Sequence, residues 1–395
     1  MAIKLVPRGK KVKYIIPMLV GFLCSFFKSN GKSKKKNPLV LVGGHLGEAF
    51  DDNSKAMYLY LANHTDASVY WMKAKDSNYS VEGVREPNIS VIGSIKAYYL
   101  YFSADYVFFS HSNSTDIAPL ADHIKVHRPF EIYISHGIEA LKKPIKGGKV
   151  EADLFTAASS FEKSIKVNDW KLPERDVKVT GMARFDTYKP ITHPDIRRIL
   201  FLPTWREWEL RDNGVGWKDS ETYKHLQEIF LDGQLQSLLQ ISKAELVFHP
   251  HPFMQDVVRA FHPKNTAYTK IDSQTPISKE IEDCDALITD YSSVAIDFLY
   301  LKKPIIFYQF DQSDFLKYRG SYLDYKTELF GPVAFNEAEL RKEIKKLLNR
   351  KGGSFSNLKI RNKLFDFYDR KNCERIWRAV VQESKARGLY GRDVR

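Results

Sequence analysis

The chain has 395 residues, 43% hydrophobic and 28% charged, with a formal net charge of +13. That length suits two domains with a core each, and the composition excludes disorder beyond the N-terminal region. Ten basic residues precede the first acid, Glu48, namely Lys4, Arg8, Lys10, Lys11, Lys13, Lys28, Lys32, Lys34, Lys35 and Lys36. The rest is close to balanced, so no basic stripe for nucleic acid is expected.

Between the two basic clusters, residues 14–27 are apolar but shorter than the roughly 20 residues a membrane span needs. Pro17 and Gly21 weaken them as a regular helix, and no A-x-A-like cleavage site follows. Residues 1–37 therefore read as a basic, apolar segment lying in the headgroup region of an anionic membrane, plus a linker. Each lysine near that surface adds about 1 kcal/mol. A helix packed on the protein's own body is the other reading. Cys24, Cys284 and Cys373 are far apart and lack metal-ligand spacing, which suits a reducing, cytoplasmic setting.

Along the chain, 38–42 reads as a strand, 43–47 as a Gly-rich loop, and 53–62 as a helix capped by Asn53 or Ser54. Strands follow at 68–72, 89–92, 106–109 and 131–134, with a helix over 94–103. This alternation predicts a parallel sheet with helices on both faces. Turn-forming residues over 186–196 suit a hinge. A second series follows, with strands at 198–202, 245–248, 285–289 and 304–308, and a charged C-terminal helix over 370–388 carrying Trp377. Polar clusters stand just past the carboxyl ends of several strands, where open α/β sheets bind ligands.

Four clusters carry candidate chemistry. In Thr289-Asp290-Tyr291-Ser292-Ser293 a strand gives way to a helix whose first amides, with the serine hydroxyls, can receive phosphate; a plain serine cap is the alternative. In His249-Pro250-His251-Pro252 two imidazoles on a stiffened loop can contact phosphate, donate a proton or hold a metal, or simply face solvent. Ser135-His136-Gly137 ends a strand with a histidine suited to general-base work, and Lys142 and Lys143 can hold phosphate. In Pro203-Thr204-Trp205-Arg206 the guanidinium can fork onto phosphate or stack on Trp205. The Gly43–Gly47 loop lacks the G-x-G-x-x-G spacing, so no nicotinamide cofactor is expected.

Read in order, these clusters resemble the CDP-glycerol glycerophosphotransferase family of teichoic acid and capsule synthesis. The likeness runs from about Leu39 to Leu347. It is carried by Gly47–Ala56, Ser135–Lys142, Thr180-Gly-Met-Ala-Arg184-Phe-Asp186, Leu202–Arg206, Thr289–Val294, Lys302–Tyr308, Tyr318–Tyr325 and Gly331-Pro332. The sequence departs from the family pattern at Ser135, where an aromatic is usual, and at Ile138-Glu139, where Thr-Pro is usual. The donor side is therefore better matched than the acceptor side.

The resemblance implies a GT-B-like α/β fold of two Rossmann-like doubly wound domains facing a cleft. The expected parts are an acceptor-side domain at 38–190, a CDP-polyol-binding domain at 191–368 and a C-terminal helix at 369–395. It implies attack by an acceptor hydroxyl on the β-phosphorus of CDP-glycerol, with CMP leaving. His136 would be the base and His251 the group on the diphosphate. Gly137, Lys142, Arg184, Thr204, Arg206, His249, Thr289, Asp290, Tyr291, Ser292 and Ser293 would bind substrate. No cofactor or metal is called for, because protein groups can neutralise the phosphoryl charge. The implied partners are a CDP-polyol and an undecaprenyl-diphosphate-linked acceptor at the cytoplasmic face of a bacterial membrane. A nucleotide-sugar glycosyltransferase and a non-catalytic membrane partner are the competing readings.

Overall fold

A computed structural model describes residues 12–29, 37–85, 87–126, 128–144, 150–189, 195–206, 208–209, 217–251, 254, 267–350 and 357–388. Most of the two basic clusters, Pro252, the middle of the 186–196 hinge and the end of the 369–395 segment lie outside the described residues. The chain forms two compact units. The first runs to Ile138, resumes through Tyr188 and ends with the chain from Phe365 onward; the second takes 139–144 and 189–364.

The first unit is built on β1 (Leu39–Val42), β2 (Ser68–Lys73), β3 (Ile89–Val91), β4 (Tyr106–Phe109), β5 (Phe130–Tyr133), β6 (Leu154–Ala157) and β7 (Val177–Val179). Among the described residues they form one parallel sheet in the order β3-β2-β1-β4-β5-β6-β7. Strands β1, β4, β5 and β6 are buried at every position, so they are covered on both faces and show no polar alternation. On one face the helices Asp52–His64 and Asn372–Ala386 pack Met57, Leu61, Trp377 and Val380 against Val40, Trp71, Phe108 and Ile132. On the other, the helix Ile95–Ser103 lays Tyr98 and Leu100 over Leu41, Met72, Val107 and Tyr133.

The C-terminal helix belongs to this first unit. The Asp186 carboxylate receives the backbone N–H of Asn372 at 3.0 Å and of Cys373 at 2.7 Å, and the Asn372 amide at 2.7 Å. A carboxylate on exposed helix-start amides is favourable through both hydrogen bonding and the helix dipole.

The helix Ile15–Ser29 forms despite Pro17 and Gly21. Pro17 falls in the first turn, where its missing N–H costs little. Gly21 is needed for contact, since a Cβ there would come within 2.5 Å of Tyr98 Cβ. Phe22 meets Phe102 edge to face at 5.0 Å. One face is thus packed on the body, while Ile16 (72% exposed), Leu19, Leu23 (53%) and Phe26 point outward. No helix among the described residues is long and apolar enough to cross a membrane.

The second unit is built on β8 (Arg198–Leu202), β9 (Glu245–Phe248), β10 (Thr269–Ile271), β11 (Ala286–Thr289), β12 (Ile305–Tyr308) and β13 (Val333–Ala334). They form a parallel sheet in the order β10-β9-β8-β11-β12-β13. Helices Glu221–Leu231, Gly233–Ser242 and Glu337–Leu348 bury Leu226, Phe230, Leu239 and Ile344 against Phe201, Phe248 and Ile306. The 139–144 segment is tied here by Tyr322 N–H donating to Ala140 O at 3.0 Å and by the Tyr325 hydroxyl donating to Leu141 O. Lys142 therefore sits on the second unit, not on the acceptor-side domain where the 38–190 boundary put it.

Candidate functional site

Each sheet reverses its strand order once, between β1 and β4 in the first unit and between β8 and β11 in the second. Loops leaving neighbouring strands diverge at such a point and open a crevice at the carboxyl edge. The chemistry-bearing residues gather at these two edges.

In the first unit, His45 follows β1, His111 follows β4 and His136 follows β5. The rings form a row. His45 and His111 meet edge to face with centroids 5.6 Å apart, and His111 stacks on His136 at 5.0 Å and 3°. Two carboxylates back the row. Asp116 is fully buried, accepts the backbone N–H of His111 at 2.8 Å, Leu46 at 3.0 Å and Ser110 at 3.1 Å, and stands 3.5 Å from His111 Nδ1. Burial alone would raise its pKa; His111 and the amides outweigh burial and lower it. Asp52 binds the Arg184 guanidinium at 2.9 Å and lies 3.7 Å from His45 Nε2. Its burial is likewise outweighed, by Arg184 and then His45, and its pKa is held far below the usual carboxylate range.

The frame is drawn tight. His45 (φ 49°), Leu46 (φ 56°) and Asp52 (φ 61°) all lie in the left-handed region. Each such residue costs on the order of 1–3 kcal/mol, and strain of this kind gathers at functional sites. Gly43 has no room for a Cβ, which would fall 2.2 Å from Asp116 O, so the loops after β1 and β4 touch through backbone. The helix at Asp52–His64 has Asp51, not Asn53 or Ser54, at its N-cap. Asn53 instead donates to Ser135 O at 2.6 Å and accepts from Arg184 N–H at 2.9 Å, and Ser54 donates to Gly43 O at 2.9 Å.

His136 is exposed to solvent, with one face covered by His111. Desolvation, and then the His111 charge, lower its pKa, so the ring is neutral at pH 7 and can accept a proton. For His45, burial alone would lower the pKa; Asp52, with Asp51 and Asp116, raises it. Gly137 is buried behind His136, where its carbonyl accepts from Ser135 Oγ at 2.6 Å. Arg184 is spent on Asp52 and on the His136 carbonyl (3.0 Å), so it fixes the loop that carries His136 rather than presenting a free fork to substrate.

In the second unit, Thr204, Trp205 and Arg206 follow β8, His249 and His251 follow β9, and Asp290–Ser293 follow β11. Here the structure departs from several expectations. Arg206 is fully buried, not presented to phosphate. Its guanidinium binds Asp290, meets Asp311 at 2.8 and 2.9 Å, and lies over the Tyr291 and Phe310 rings. A cation sealed between two carboxylates joins the loops across the strand reversal. Thr289, Asp290 and Tyr291 are buried with it. Thr289 Oγ1 donates to Leu202 O at 2.5 Å, Asp290 accepts from Thr204 N–H at 2.8 Å, and the Tyr291 hydroxyl donates to Asp311 at 2.9 Å. These three residues build the edge and do not project from it.

Ser292 and Ser293 are half-buried before the helix Val294–Tyr300. Ser292 Oγ accepts from Val294 N–H at 3.3 Å, while Ser293 makes no side-chain cap bond. The amides of Ala295 and Ile296 already donate to Ser292 O and Ser293 O, so the helix start is less open than its sequence suggests. Thr204 Oγ1 and His249 Nδ1 are buried and have no hydrogen-bond partner. Burial lowers the His249 pKa. Burial first, and the Lys142 charge second, push His251 down to about 4, and its ring stacks on Trp205 at 5.9 Å and 17°. Both imidazoles are therefore neutral hydrogen-bonding groups at pH 7, and Lys142 supplies the fixed charge.

The only group of three or more metal-ligand side chains found among the described residues is His225, Glu228 and Glu337, whose ligand atoms lie within 4.8 Å of one another. Two of them are already joined, with His225 Nδ1 and the Tyr308 hydroxyl each 2.5 Å from Glu337 Oε1. His249 and His251 are not in such a group.

Two parallel α/β units whose polar residues gather at their strand reversals define a two-domain, GT-B-like protein. The family model for CDP-Glycerol:Poly(glycerophosphate) glycerophosphotransferase matches residues 25–382, and the chain belongs to that family. It is 26% identical over 405 residues to the minor teichoic acid biosynthesis protein GgaB of Bacillus subtilis (strain 168), covering 91% of this chain and 44% of GgaB. It is 23% identical over 363 residues to a teichoic acid glycerol-phosphate transferase of Staphylococcus aureus (strain NCTC 8325 / PS 47), covering 81% and 86%. The chain thus spans less than half the length of GgaB but most of the staphylococcal transferase. Among solved structures, the wall teichoic acid polymerase TagF matches with a TM-score of 0.67 at 18% identity, covering 96% of this chain and 97% of that one. A TagF variant with CDPG matches with a TM-score of 0.69 at 19% identity, with the same coverage.

Proposed function

We propose that this chain transfers glycerol phosphate, or a related polyol phosphate, from a CDP-linked donor to a hydroxyl of a membrane lipid-linked saccharide or polymer in teichoic acid or capsule synthesis. The acceptor oxygen attacks the β-phosphorus. A new P–O bond forms, the bond from that phosphorus to the bridging oxygen breaks, and CMP leaves with the electron pair. His136, neutral and solvent-facing, takes the hydroxyl proton, while Arg184 and Asp52 hold its loop. His251 and Lys142 contact the donor's diphosphate, His251 through a neutral N–H and Lys142 through its charge.

The observation that carries the donor site is the pair of unpartnered buried atoms, Thr204 Oγ1 and His249 Nδ1, at the carboxyl ends of adjacent strands β8 and β9. A buried polar atom without a partner is costly, and a bound ligand is one way to satisfy it. Calorimetric titration with CDP-glycerol tests this. Thr204→Val, which keeps the shape and removes the hydroxyl, should weaken binding about tenfold. Unchanged affinity in both Thr204→Val and His249→Asn would contradict the assignment.

For localisation, the reading is peripheral attachment at the cytoplasmic face. The outward apolar face of the helix Ile15–Ser29 would enter the headgroup region, and the flanking lysines would meet anionic lipid.

A further inference from the structure

A cavity of about 540 Å³ lies within the first unit and is lined by Asn113, Asp122, Lys125, Arg128, Glu131 and Glu151, with Ser112, Val150 and Ala152; none of His45, His111 and His136 is in its lining. Its volume is in the range of small-ligand sites. Its wall is organised. Glu131 Oε1 receives the Tyr101 hydroxyl at 2.6 Å and the Asn113 amide at 3.0 Å, and that amide also reaches Asp122 Oδ1 at 2.7 Å. With all of this made, Asn113 Oδ1 is buried and has no hydrogen-bond partner, in a residue only 4% exposed. Asn113 lines the cavity, so a donor from a bound ligand is one way to satisfy this acceptor.

The wall chemistry narrows the class of ligand. Among the described residues that line the cavity none is aromatic, so they offer no platform for a nucleotide base. Among the described lining residues three carboxylates face two cations, and Arg128 is already paired with Asp153 and, at 3.4 Å, with Glu131. A phosphate or other multivalent anion is therefore disfavoured. The carboxyl oxygens of Asp122, Glu131 and Glu151 do not form a metal-ligand group. What suits the wall is a neutral ligand with many hydroxyls, which donate to carboxyl and amide oxygens and accept from Lys125 and Arg128. Burial drives the Glu131 carboxyl up to about 7, which reduces the negative charge such a ligand would face.

We propose that the cavity beside Asn113 and Glu131, whose lining does not include His45, His111 or His136, binds a neutral sugar or polyol unit. The inference uses no step of the proposed transfer and stands or falls without it. Saturation-transfer difference NMR on the full chain tests it with glycerol, ribitol and an N-acetylglucosamine disaccharide as probes. We expect transfer to ribitol or to the disaccharide at about 10 mM, the range of a weak polar site. Ala152→Trp, which adds bulk to the lining, and the double change Lys125→Ala with Glu151→Ala, both at exposed positions, should each reduce the signal about tenfold. CDP-glycerol titration and thermal unfolding of the same variants should be unchanged, which keeps loss of this site distinct from loss of the donor site or of the fold. Absence of transfer to all three probes would overturn the proposal. So would a signal undiminished in both folded variants, or displacement of the probe by an equal concentration of inorganic phosphate.

Discussion

A histidine that is neutral at physiological pH can take a proton but brings no charge to a phosphate. That fixes the expected pH behaviour. The His136 pKa is lowered, so in the proposed base role protonation would disable it only below the ordinary imidazole range. Turnover should stay level from pH 8 down through about 6.5 and fall only well below that, as pH approaches the His136 value of about 3. The His111 charge is one cause of the lowering, so His111→Ala should move the acid limb upward in a pH–kcat profile; an unmoved limb would remove His111 from the mechanism. His136→Ala should fold, bind CDP-glycerol and lose turnover by about 100-fold or more. The buried cation at Arg206 predicts a different outcome. Arg206→Ala strands Asp290 and Asp311 and should cost about 3–5 kcal/mol in a denaturant titration, with inactivity following from unfolding.

His136, His249 and His251 were legible in the sequence because each stands where an apolar run stops. Arg206 was legible as important and misread in role, since nothing in Pro-Thr-Trp-Arg says that two distant aspartates close over it. His45 and His111 were missed. The first lies in a loop discounted for lacking a nucleotide fingerprint, and the second in a serine-rich turn without a glycine or proline to mark it. Their carboxylate partners come from the following helical turns. Only the meeting of β1 with β4 makes four such residues one site.

At the scale of elements, buried parallel strands were readable as short apolar runs, and β1, β2, β4, β5, β8, β9, β11 and β12 lie within a residue or so of expectation. The strands passed over, β6, β7, β10 and β13, are two to four residues long and, apart from β13, carry Thr or Lys. Such segments are fixed by their neighbours and not by their own pattern. The helix Ile15–Ser29 presented two readings, membrane surface or protein body, and its packing allows both because its two faces differ. The prediction follows face by face. Leu19→Glu with Leu23→Glu should abolish co-sedimentation with anionic vesicles while leaving thermal stability unchanged. Gly21→Leu should lower stability, because any Cβ collides with Tyr98 and its neighbouring backbone. Equal vesicle binding by the double glutamate variant would show that this face is not the attachment site.

At the scale of the molecule, both units use one device, a strand reversal with polar residues at its carboxyl edge, and furnish it differently. One carries a row of imidazoles backed by aspartates; the other carries a locked rim with unpartnered buried polar atoms behind it. Family membership spans both, since the matched residues run from 25 to 382. The most direct measurement is product analysis. Purified protein incubated with CDP-glycerol and a lipid-linked acceptor analogue should release CMP in step with an acceptor heavier by one or more glycerol phosphate units in the mass spectrum. Release of CDP, or an acceptor that gains glycerol without phosphorus, would contradict phosphotransfer at this site.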